Sequence, residues 1–218
     1  MEIIRYAELK AHPWRNGGGV TRELARHPRT PSARDIGQNA ARDTAWDWRV
    51  SIAEVSKAGA FSAFAGMDRV LTVIDGDLLL LSVDGAEHPL EKYRPFRFSG
   101  DAESAGALPT GDIRDLNVIT RNGAFKGYTS IIELSKKRAH PVFEGQLGIL
   151  LQGQATVAPG TASTADVEPA ESAAGTAGTP AGPEPLARYD AVVGSDTDTP
   201  EILGRGFLAV VSIDRVAD

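Results

Sequence analysis

The feature that most constrains the fold is a series of short apolar segments with a period of two residues. In the segment 48–55, Trp48, Val50 and Ile52 alternate with smaller or polar residues, which is typical of a β-strand with one buried face. Most segments are bounded by Gly, Pro, Asp or Asn, and no stretch long enough for a capped helix shows a helical period. Besides 48–55, the predicted strands are 20–25, 69–75, 78–83, 96–98, 113–120, 128–134, 147–151 and 207–213. The sequence therefore predicts an all-β protein, with short helical turns at most near 7–10 or 112–115.

A weak internal repeat predicts that these strands form two similar units. The segment Val-Ile-Asp-Gly-Asp-Leu at 73–78 has a counterpart, Leu-Leu-Gln-Gly-Gln-Ala, at 150–155. Each copy is an apolar strand, a turn centred on glycine and a second strand. Such turns are common between strands, so coincidence is the alternative. We predict two β-barrel units, 1–135 and 136–218, and small barrels of this kind have a central cavity that can hold a ligand.

Two stretches have the composition of loops. Residues 28–45 mix Pro, Ser, Arg, Asn and Asp without an apolar period. Residues 158–185 consist almost entirely of Ala, Gly, Pro, Thr, Ser and Glu, and such a segment buries too little surface to offset the entropy lost on ordering. Because it falls where the first copy of the repeat has only a turn, we predict a disordered insertion at about 158–185 within the second unit.

Composition excludes several classes of function. The chain has 218 residues, a net charge of −6 and a pI near 5.3, whereas nucleic-acid binding needs a basic face. Cysteine is absent, which excludes disulfides, thiolate nucleophiles and zinc–thiolate sites. The N-terminus shows no signal peptide, and the longest apolar run, Leu78–Leu81, is too short to cross a bilayer. We therefore expect a cytoplasmic protein that contacts neither nucleic acid nor membrane.

Metal binding is not expected. The four histidines, His12, His27, His88 and His140, are far apart in the sequence, and each precedes a proline. A transition-metal site needs about three converging ligands, and the residue before proline favours an extended or turn conformation. The chain also lacks a nucleophile elbow, a P-loop and a dinucleotide fingerprint. We therefore predict histidines in surface turns, no bound metal and no other cofactor.

The segment 14–23, Trp-Arg-Asn-Gly-Gly-Gly-Val-Thr-Arg-Glu, is the most unusual in the chain. Consecutive glycines can adopt positive φ, so that several backbone N–H groups converge on an anion. The alternative is a tight, bulged turn that leads into the strand 20–25, and the residue types do not decide between the two. The ligand-binding residues predicted from this segment are Asn16, Gly17, Gly18, Gly19, Thr21 and Glu23.

Arg49 lies in the middle of a predicted strand, on the face that it shares with Ser51. An arginine followed by small residues on one face suggests a cavity floor, where a planar guanidinium can bind a carboxylate through two hydrogen bonds. The alternative is an outer face on which Arg49 forms a surface ion pair. We predict Arg49 and Ser51 as ligand-binding residues.

Two further pairs place polar side chains in or beside apolar strands. Asp68 and Arg69 precede an apolar strand, where they can bind a ligand or pair with each other across a turn. Asp115 and Asn117 share one face of a strand whose other face carries Leu116, a position in which polar side chains are costly unless they find partners. All four are predicted ligand-binding residues.

Taken together, these segments resemble the HutD/Ves family of bacterial proteins. The resemblance runs through 14–23, Trp-Arg-Val-Ser at 48–51, Gly-Ala-Phe-Ser at 59–62, Gly-Met-Asp-Arg at 66–69, Gly-Asp at 76–77, 96–101 and 115–117. It covers most of residues 1–135, whereas the second half matches only in pattern. The chain departs from the family in having Ile119 where Met is expected, and in the insertion at 158–185.

The resemblance implies a double-stranded β-helix, the cupin fold, repeated twice in a bicupin barrel that lacks cupin metal ligands. It also implies a role in histidine utilisation. Such proteins are thought to limit induction of that pathway by binding an intermediate, urocanate or N-formylglutamate. Both are carboxylates, which agrees with the separate argument from Arg49.

Three functions remain open on the sequence. The leading hypothesis is a protein that binds a small anionic metabolite between Arg49, Arg69, Asn16 and the glycine run. The second is a metal-free isomerase or hydrolase of a small acid, with Glu23 or Asp115 as general base if burial raises its pKa toward neutrality. The third is an interaction protein whose barrel is filled with side chains. A homodimer is compatible with all three.

Overall fold

The computed structural model describes residues 1–28, 46–160 and 182–217, and in these ranges the chain is almost entirely β-structure. The strands are β1 (Glu2–Ile4), β2 (Ala11–Pro13), β3 (Gly19–Pro28), β4 (Trp46–Val55), β5 (Gly59–Ala60), β6 (Met67–Asp75), β7 (Leu78–Val83), β8 (Ala86–Glu91), β9 (Phe96–Ser99), β10 (Ser104–Ala107), β11 (Ile113–Arg121), β12 (Phe125–Leu134), β13 (His140–Pro141), β14 (Gln146–Pro159), β15 (Glu184–Leu186), β16 (Ala191–Val193) and β17 (Pro200–Arg215). A 3₁₀ turn, Tyr6–Glu8, is the only helical element in the described ranges, and none of their helices is long and apolar enough to cross a membrane. The predicted all-β class is confirmed.

Within the described residues the strands form three sheets. The first has six strands in the order β2-β3-β4-β11-β6-β9, and the second has four in the order β5-β10-β7-β8. The third has seven strands: β1-β16-β14-β17-β12 form its main path, while β13 pairs with β17 and β15 with β14. Neighbouring strands are antiparallel, as in jelly rolls, which stack two such sheets.

The main hydrophobic core lies between the six-stranded and the seven-stranded sheets. Ile52 on β4 and Leu116 on β11 belong to the same cluster as Ile149 on β14 and Val211 on β17, and all four are fully buried. Complete burial of a side chain of this size contributes about 1.5–3 kcal/mol, so this interface holds the two sheets face to face. Because side chains alternate along a strand, the same packing turns the intervening residues of β4 and β11 to the opposite side.

The other faces of these two sheets are also covered. Leu71 on β6 packs in one cluster with Leu79 of the four-stranded sheet. The seven-stranded sheet instead folds over on itself, since Leu150 on β14 and Ile202 on β17 belong to a separate cluster built from its own strands. Each half of the molecule therefore has an apolar interior of its own in addition to the shared core.

The second copy of the predicted repeat differs in structure from the first. In the first, Gly76 forms the turn between β6 and β7, as predicted. In the second, Gly153 continues β14 after a register shift at Leu150, and it pairs with Gly206 on β17. Both glycines have positive φ, 100° and 116°, and a Cβ on either would collide with the opposite backbone. β14 and β17 are therefore single strands of 14 and 16 residues, longer than the sequence predicts.

Other differences from the sequence-based expectations are local. Residues 113–115 belong to β11, so the helical turn expected near 112–115 is not formed. The four His–Pro pairs lie within or at the end of β2, β3, β8 and β13 rather than in turns, because an extended backbone also suits the residue before proline. The division into units 1–135 and 136–218 stays a prediction; β1 and β12, from the first range, pair with β16 and β17 of the second.

The predicted insertion begins and ends in a strand pair. β14 continues to Pro159 and β15 begins at Glu184, which pairs with Val157. The ends of the predicted segment are therefore strand residues. The part from 161 to 181 lies outside the described residues, as does 29–45 of the other predicted loop.

Candidate functional site

A cavity of about 760 Å³ lies against the face of the six-stranded sheet that is turned away from the main core. Strands β3, β4, β11 and β6 form its floor, and segments 12–16 and 60–64 form its wall. The lining residues are His12, Pro13, Trp14, Arg15, Asn16, Thr21, Glu23, Arg26, Arg49, Ser51, Ala53, Ala60, Phe61, Ser62, Ala63, Phe64, Arg69, Asp115, Asn117 and Ile119. Small-molecule sites span about 300–1,000 Å³. A barrel filled with side chains, the third function considered from the sequence, does not describe this structure.

Strand register arranges the floor residues in rows across the sheet. Glu23 on β3 pairs with Ser51 on β4, and Ser51 pairs with Asn117 on β11. In the next row, Arg49 on β4 and Arg69 on β6 flank the same residue of β11. Adjacent strands are about 4.8 Å apart, so side chains from four separate parts of the chain become neighbours. The polar faces noted in the sequence of β4 and β11 are the faces that line the cavity.

Arg69 is a deeply buried cation in this floor, with 5% of its surface exposed. Its Nη2 donates to Oδ1 of Asn117 at 2.8 Å, and its Nη1 donates to the backbone O of Ser62 at 3.3 Å. Its Nε is buried and has no hydrogen-bond partner among the described residues. Burial lowers the pKa of Arg69 to about 10, an effect that Asp115 opposes and Arg49 reinforces. The guanidinium is therefore charged at neutral pH, and its Nε–H has no acceptor among the described residues.

Aromatic rings lie beside both guanidinium groups. Cζ of Arg69 is 4.8 Å from the ring centroid of Phe98 and 5.4 Å from that of Phe64. Cζ of Arg49 is 5.3 Å from the same Phe64 ring and 4.9 Å from the ring of Trp46. Contacts of this kind stabilise a cation without neutralising its charge. Two positive charges therefore share one aromatic ring at the cavity.

Asp115 is enclosed in the floor, with 1% of its surface exposed. Its Oδ1 accepts a hydrogen bond from Nδ2 of Asn117, so Arg69, Asn117 and Asp115 form a continuous hydrogen-bonded chain. Burial raises the pKa of Asp115 to about 7, although Arg69 acts in the opposite direction. The register of β11 against β6 shifts between Arg114 and Asp115, and such bulges re-aim side chains near functional sites. Asp115 can therefore gain or lose a proton close to neutral pH.

The glycine run is a tight turn, one of the two alternatives left open by the sequence. Gly17, with a φ of +63°, donates its N–H within the turn, and the N–H of Gly18 donates to Oδ1 of Asn16 at 3.0 Å. Gly19 begins β3 so close to the backbone O of Glu54 that a Cβ would collide with it. Gly17, Gly18 and Gly19 do not line the cavity. The anion-binding nest, which was the other alternative, does not form because the N–H groups of Gly17 and Gly18 donate inside the turn.

The other predicted residues of this segment do line the cavity. They are Asn16, Thr21 and Glu23. Oγ1 of Thr21 accepts a hydrogen bond from Nε1 of Trp14 at 2.8 Å, which holds the indole in the cavity wall. An oxygen of Glu23 lies 3.4 Å from Nε of Arg26. The β3 side of the cavity therefore presents both charge signs.

Asp68 is not part of the cavity. It precedes Arg69 on β6, and alternation along the strand turns its side chain to the other side. There its carboxylate lies 3.7 Å from Nη1 of Arg97. The predicted ligand-binding role of Asp68 is therefore replaced by a surface ion pair, and the pairing with Arg69 considered as its alternative is not formed either.

The cavity residues that were not predicted to bind a ligand include Arg15, Arg26, Phe61 and Phe64. Arg26 is out of phase with Glu23, and it reaches the cavity only because the register of β3 shifts after Glu23. Arg15 precedes the glycine run without a strand pattern, and Phe61 and Phe64 lie in a segment that is not a strand. The signal for Phe61 and Phe64 in the sequence was their position as two aromatic residues shortly before the strand that carries Arg69.

The cavity does not present a metal centre in the described ranges. His12, Glu23 and Asp115 line it, but no group of three or more His, Cys, Asp or Glu side chains among the described residues is arranged to hold a metal ion. The chemistry that these residues offer is hydrogen bonding, charge and proton exchange.

Comparison with known proteins places the chain in a family. The HutD family model matches residues 6–209, a range that includes every residue of the cavity. The chain belongs to the HutD family. An uncharacterised 21.2 kDa protein from the hutC 3′ region of Pseudomonas putida is 38% identical over 120 residues, 55% of this chain and 57% of that protein. Protein Ves of Citrobacter koseri is 33% identical over 135 residues, 61% of this chain and 64% of Ves. The matches thus span less than two thirds of either relative.

Solved structures share the fold of this HutD family protein over nearly its whole length. A conserved protein of unknown function from Pseudomonas aeruginosa PAO1 has a TM-score of 0.71 and 26% identity, with 99% of both chains covered. HutD of Pseudomonas fluorescens SBW25 has a TM-score of 0.68 and 24% identity, again with 99% of both chains covered. A cupin 2 conserved barrel domain protein from Leptotrichia buccalis has a TM-score of 0.54 and 7% identity, with 99% and 96% covered. The predicted cupin architecture is confirmed.

Proposed function

We propose that this HutD family protein binds a small carboxylate metabolite in the cavity, and that it thereby limits induction of histidine utilisation. Urocanate and N-formylglutamate are the proposed ligands. The observation that carries the proposal is the charge of the cavity. Four arginines line it against two carboxyl groups, in a chain whose net charge is −6. A cationic cavity on an anionic protein concentrates small anions.

The arginines are arranged to recognise a carboxylate in particular. A guanidinium presents parallel N–H donors that match the two oxygens of a carboxylate. Arg49 and Arg69 lie in one row of the floor, and Ser51 and Asn117 lie in the next. Neutral hydrogen-bonding groups beside two cations favour a ligand with one or two carboxylates and further polar atoms, which describes both proposed ligands.

The link to histidine utilisation rests on relatives. The Pseudomonas putida relative is named for the hutC 3′ region, and the family itself is HutD. These names support a role beside that pathway, and the cavity supplies a means by which the protein could sense one of its intermediates.

Substitution of Arg49 tests the proposal. Arg49→Lys keeps the charge but loses the planar fork. A charge-assisted hydrogen bond contributes about 1.5–3 kcal/mol, so we expect binding to weaken about tenfold or more. Arg49→Met removes the charge and should abolish measurable binding. Isothermal titration calorimetry with urocanate and with N-formylglutamate measures both effects.

The matched control is Arg94→Met. Arg94 is exposed in the turn between β8 and β9 and does not line the cavity, so this variant has the same change in net charge without a change in the site. If Arg49→Met binds either ligand as tightly as the parent protein, the arginine is not a ligand contact. If the parent protein binds neither ligand, the proposed function is wrong.

A second candidate function, a metal-free enzyme acting on a small acid, is favoured by the environment of Asp115. A general base works best when its pKa is near the working pH, and burial raises the pKa of Asp115 to about 7. Between Glu23 and Asp115, the two bases considered from the sequence, this observation favours Asp115. NMR spectra of either ligand incubated with the protein would reveal a product, and Asp115→Asn should then stop turnover while retaining binding. An unchanged spectrum would contradict the enzymatic function and leave the binding function as the remaining candidate.

A further inference from the structure

Binding of an anion would change the balance of positive and negative charge around Asp115. Asp115 is buried, and a hydrogen-bonded chain through Asn117 connects it to Arg69. In the free protein, the charge of Arg69 compensates that of an ionised Asp115. A carboxylate ligand that bonds to Arg69 brings a second negative charge to the same buried cation. Two anions that compete for one guanidinium away from water repel each other strongly.

Protonation of Asp115 removes this conflict at the lowest cost. The ligand keeps its charge because it gains direct hydrogen bonds from the arginine, whereas Asp115 contacts Arg69 only through the amide of Asn117. A protonated Asp115 retains Oδ1 as an acceptor for that amide and gains a donor. The proton therefore belongs on Asp115 and not on the ligand.

We propose that the cavity takes up its anionic ligand together with one proton, which binds to Asp115. This inference rests on the proposed function, since it concerns the same site. It goes further by making the affinity for the metabolite dependent on pH, with the weaker binding at higher pH. The protein would thus respond to the metabolite and to the acidity of its surroundings together.

Other charged or titratable side chains line the same cavity as Asp115. They are Arg49 on β4, Arg69 on β6, Glu23 and Arg26 on β3, and His12 and Arg15 in the wall. The wall segment 60–64 adds no charge. Arg49 is the group that could neutralise the ligand without any proton uptake. In that case the ligand would bind and calorimetry would detect no uptake of protons. Glu23 already has a cation, Arg26, at 3.4 Å, and it is less buried than Asp115.

Calorimetric titration with N-formylglutamate in buffers of different ionisation enthalpy tests the proposal. This ligand has no group that titrates near neutrality, unlike the imidazole of urocanate. The pKa of about 7 for Asp115 in the free protein predicts uptake of about 0.8 proton per ligand at pH 7.5, and affinity about tenfold weaker at pH 8 than at pH 6. Asp115→Asn should show neither effect, while exposed Asp77→Asn should show both.

The outcomes separate this inference from the function on which it rests. Binding without proton uptake would overturn the inference and leave the proposed function intact. Uptake that persists in Asp115→Asn would place the proton on another group, which also overturns it. If N-formylglutamate does not bind at any pH, the same titration with urocanate is compared between the parent protein and Asp115→Asn, in which the contribution of the imidazole cancels. Failure of both ligands would overturn the function and the inference together. The measurements on the parent protein do not depend on the folding of any variant.

Discussion

Asp115→Asn is expected to remove a loss of stability that the parent protein undergoes between about pH 4 and pH 7. The substitution keeps the shape of the side chain and the Oδ1 that accepts a hydrogen bond from Asn117, but it removes the ionisable group. In the parent protein, the pKa of Asp115 is raised from its ordinary value of 3.8 to about 7, chiefly by burial. The folded protein therefore retains this proton over a range of pH in which the unfolded chain releases it.

The sign and the size of the effect follow from this difference. Below about pH 4, both states are protonated at this position, so Asp115 adds no pH dependence to the free energy of unfolding. As the pH rises, the unfolded state ionises first, so the free energy of unfolding falls by about 1.4 kcal/mol per pH unit. Above about pH 7 both states are ionised and the loss, up to about 4 kcal/mol, is complete. Domains are typically stable by only about 5–15 kcal/mol.

Other groups titrate as well and must be separated from Asp115. Burial raises the pKa values of Glu54 and Asp75, but their ion pairs with Arg114 and Arg188 outweigh it and lower both. Their stabilisation is present above about pH 4 and is lost on acidification. Burial lowers the pKa of His140, so its contribution grows as the pH rises through about 6.5, opposite to that of Asp115. The difference between variant and parent cancels these contributions.

Urea unfolding from pH 4.5 to pH 8 measures this difference directly. The free energy of unfolding of Asp115→Asn minus that of the parent protein should rise up to about pH 7 and then level off. Asp77→Asn removes an exposed carboxylate from the turn after β6, so its curve should run parallel to that of the parent. A difference that does not change with pH, whatever its sign, would refute the reasoning about the buried carboxyl group.

Gly19→Ala should lower the free energy of unfolding by about 1–3 kcal/mol, because its Cβ would collide with the backbone O of Glu54. Gly59→Ala, at an open position, is the control in the same urea experiment, and equal stabilities would contradict the prediction. Replacement of 161–181 by a short Gly-Ser linker should change the melting temperature by a few degrees at most. The flanking strands β14 and β15 pair directly, and each halving of a flexible loop is worth about 0.6 kcal/mol; a larger drop would show that the segment packs against the barrel. Protein purified without added metal should contain no stoichiometric transition metal in elemental analysis, and one equivalent that survives dialysis would disprove this.

The sequence was sufficient to orient the strands that form the floor of the cavity. Val50 and Ile52 had to reach an apolar core, which turns Arg49 and Ser51 to the other side of β4. The same argument around Leu116 turns Asp115 and Asn117 to that side of β11. Period-two alternation determines these orientations within a single strand, so no knowledge of the neighbouring strands was needed.

Features that depend on a neighbouring strand could not be obtained in this way. The sequences around Gly76 and Gly153 are alike, yet Gly76 lies in a turn between strands of two different sheets. Gly153 instead lies in a bend within a long strand, where it pairs with Gly206. Arg26 reaches the cavity through a register shift that depends on the pairing of β3 with β4. Asp68 and Arg69 are adjacent, and only the packing of β6 decides which of them is buried. Bulges and bends are set by tertiary pairing, which a local pattern does not contain.

The second half of the chain contributes no lining residue to the cavity among the described residues, but it holds the floor in place. The residues between the floor positions, such as Ile52 on β4, pack against Ile149 of the seven-stranded sheet. At the end of this interface, Oη of Tyr189 donates to Asp75 at 3.3 Å and Nη2 of Arg188 lies 3.0 Å from the same carboxylate. Two like charges beside a buried carboxyl group would disperse if the floor could yield, because each gains by moving toward water. The packing of the seven-stranded sheet against the floor therefore supports the cavity, since it keeps the charged side chains of the floor together.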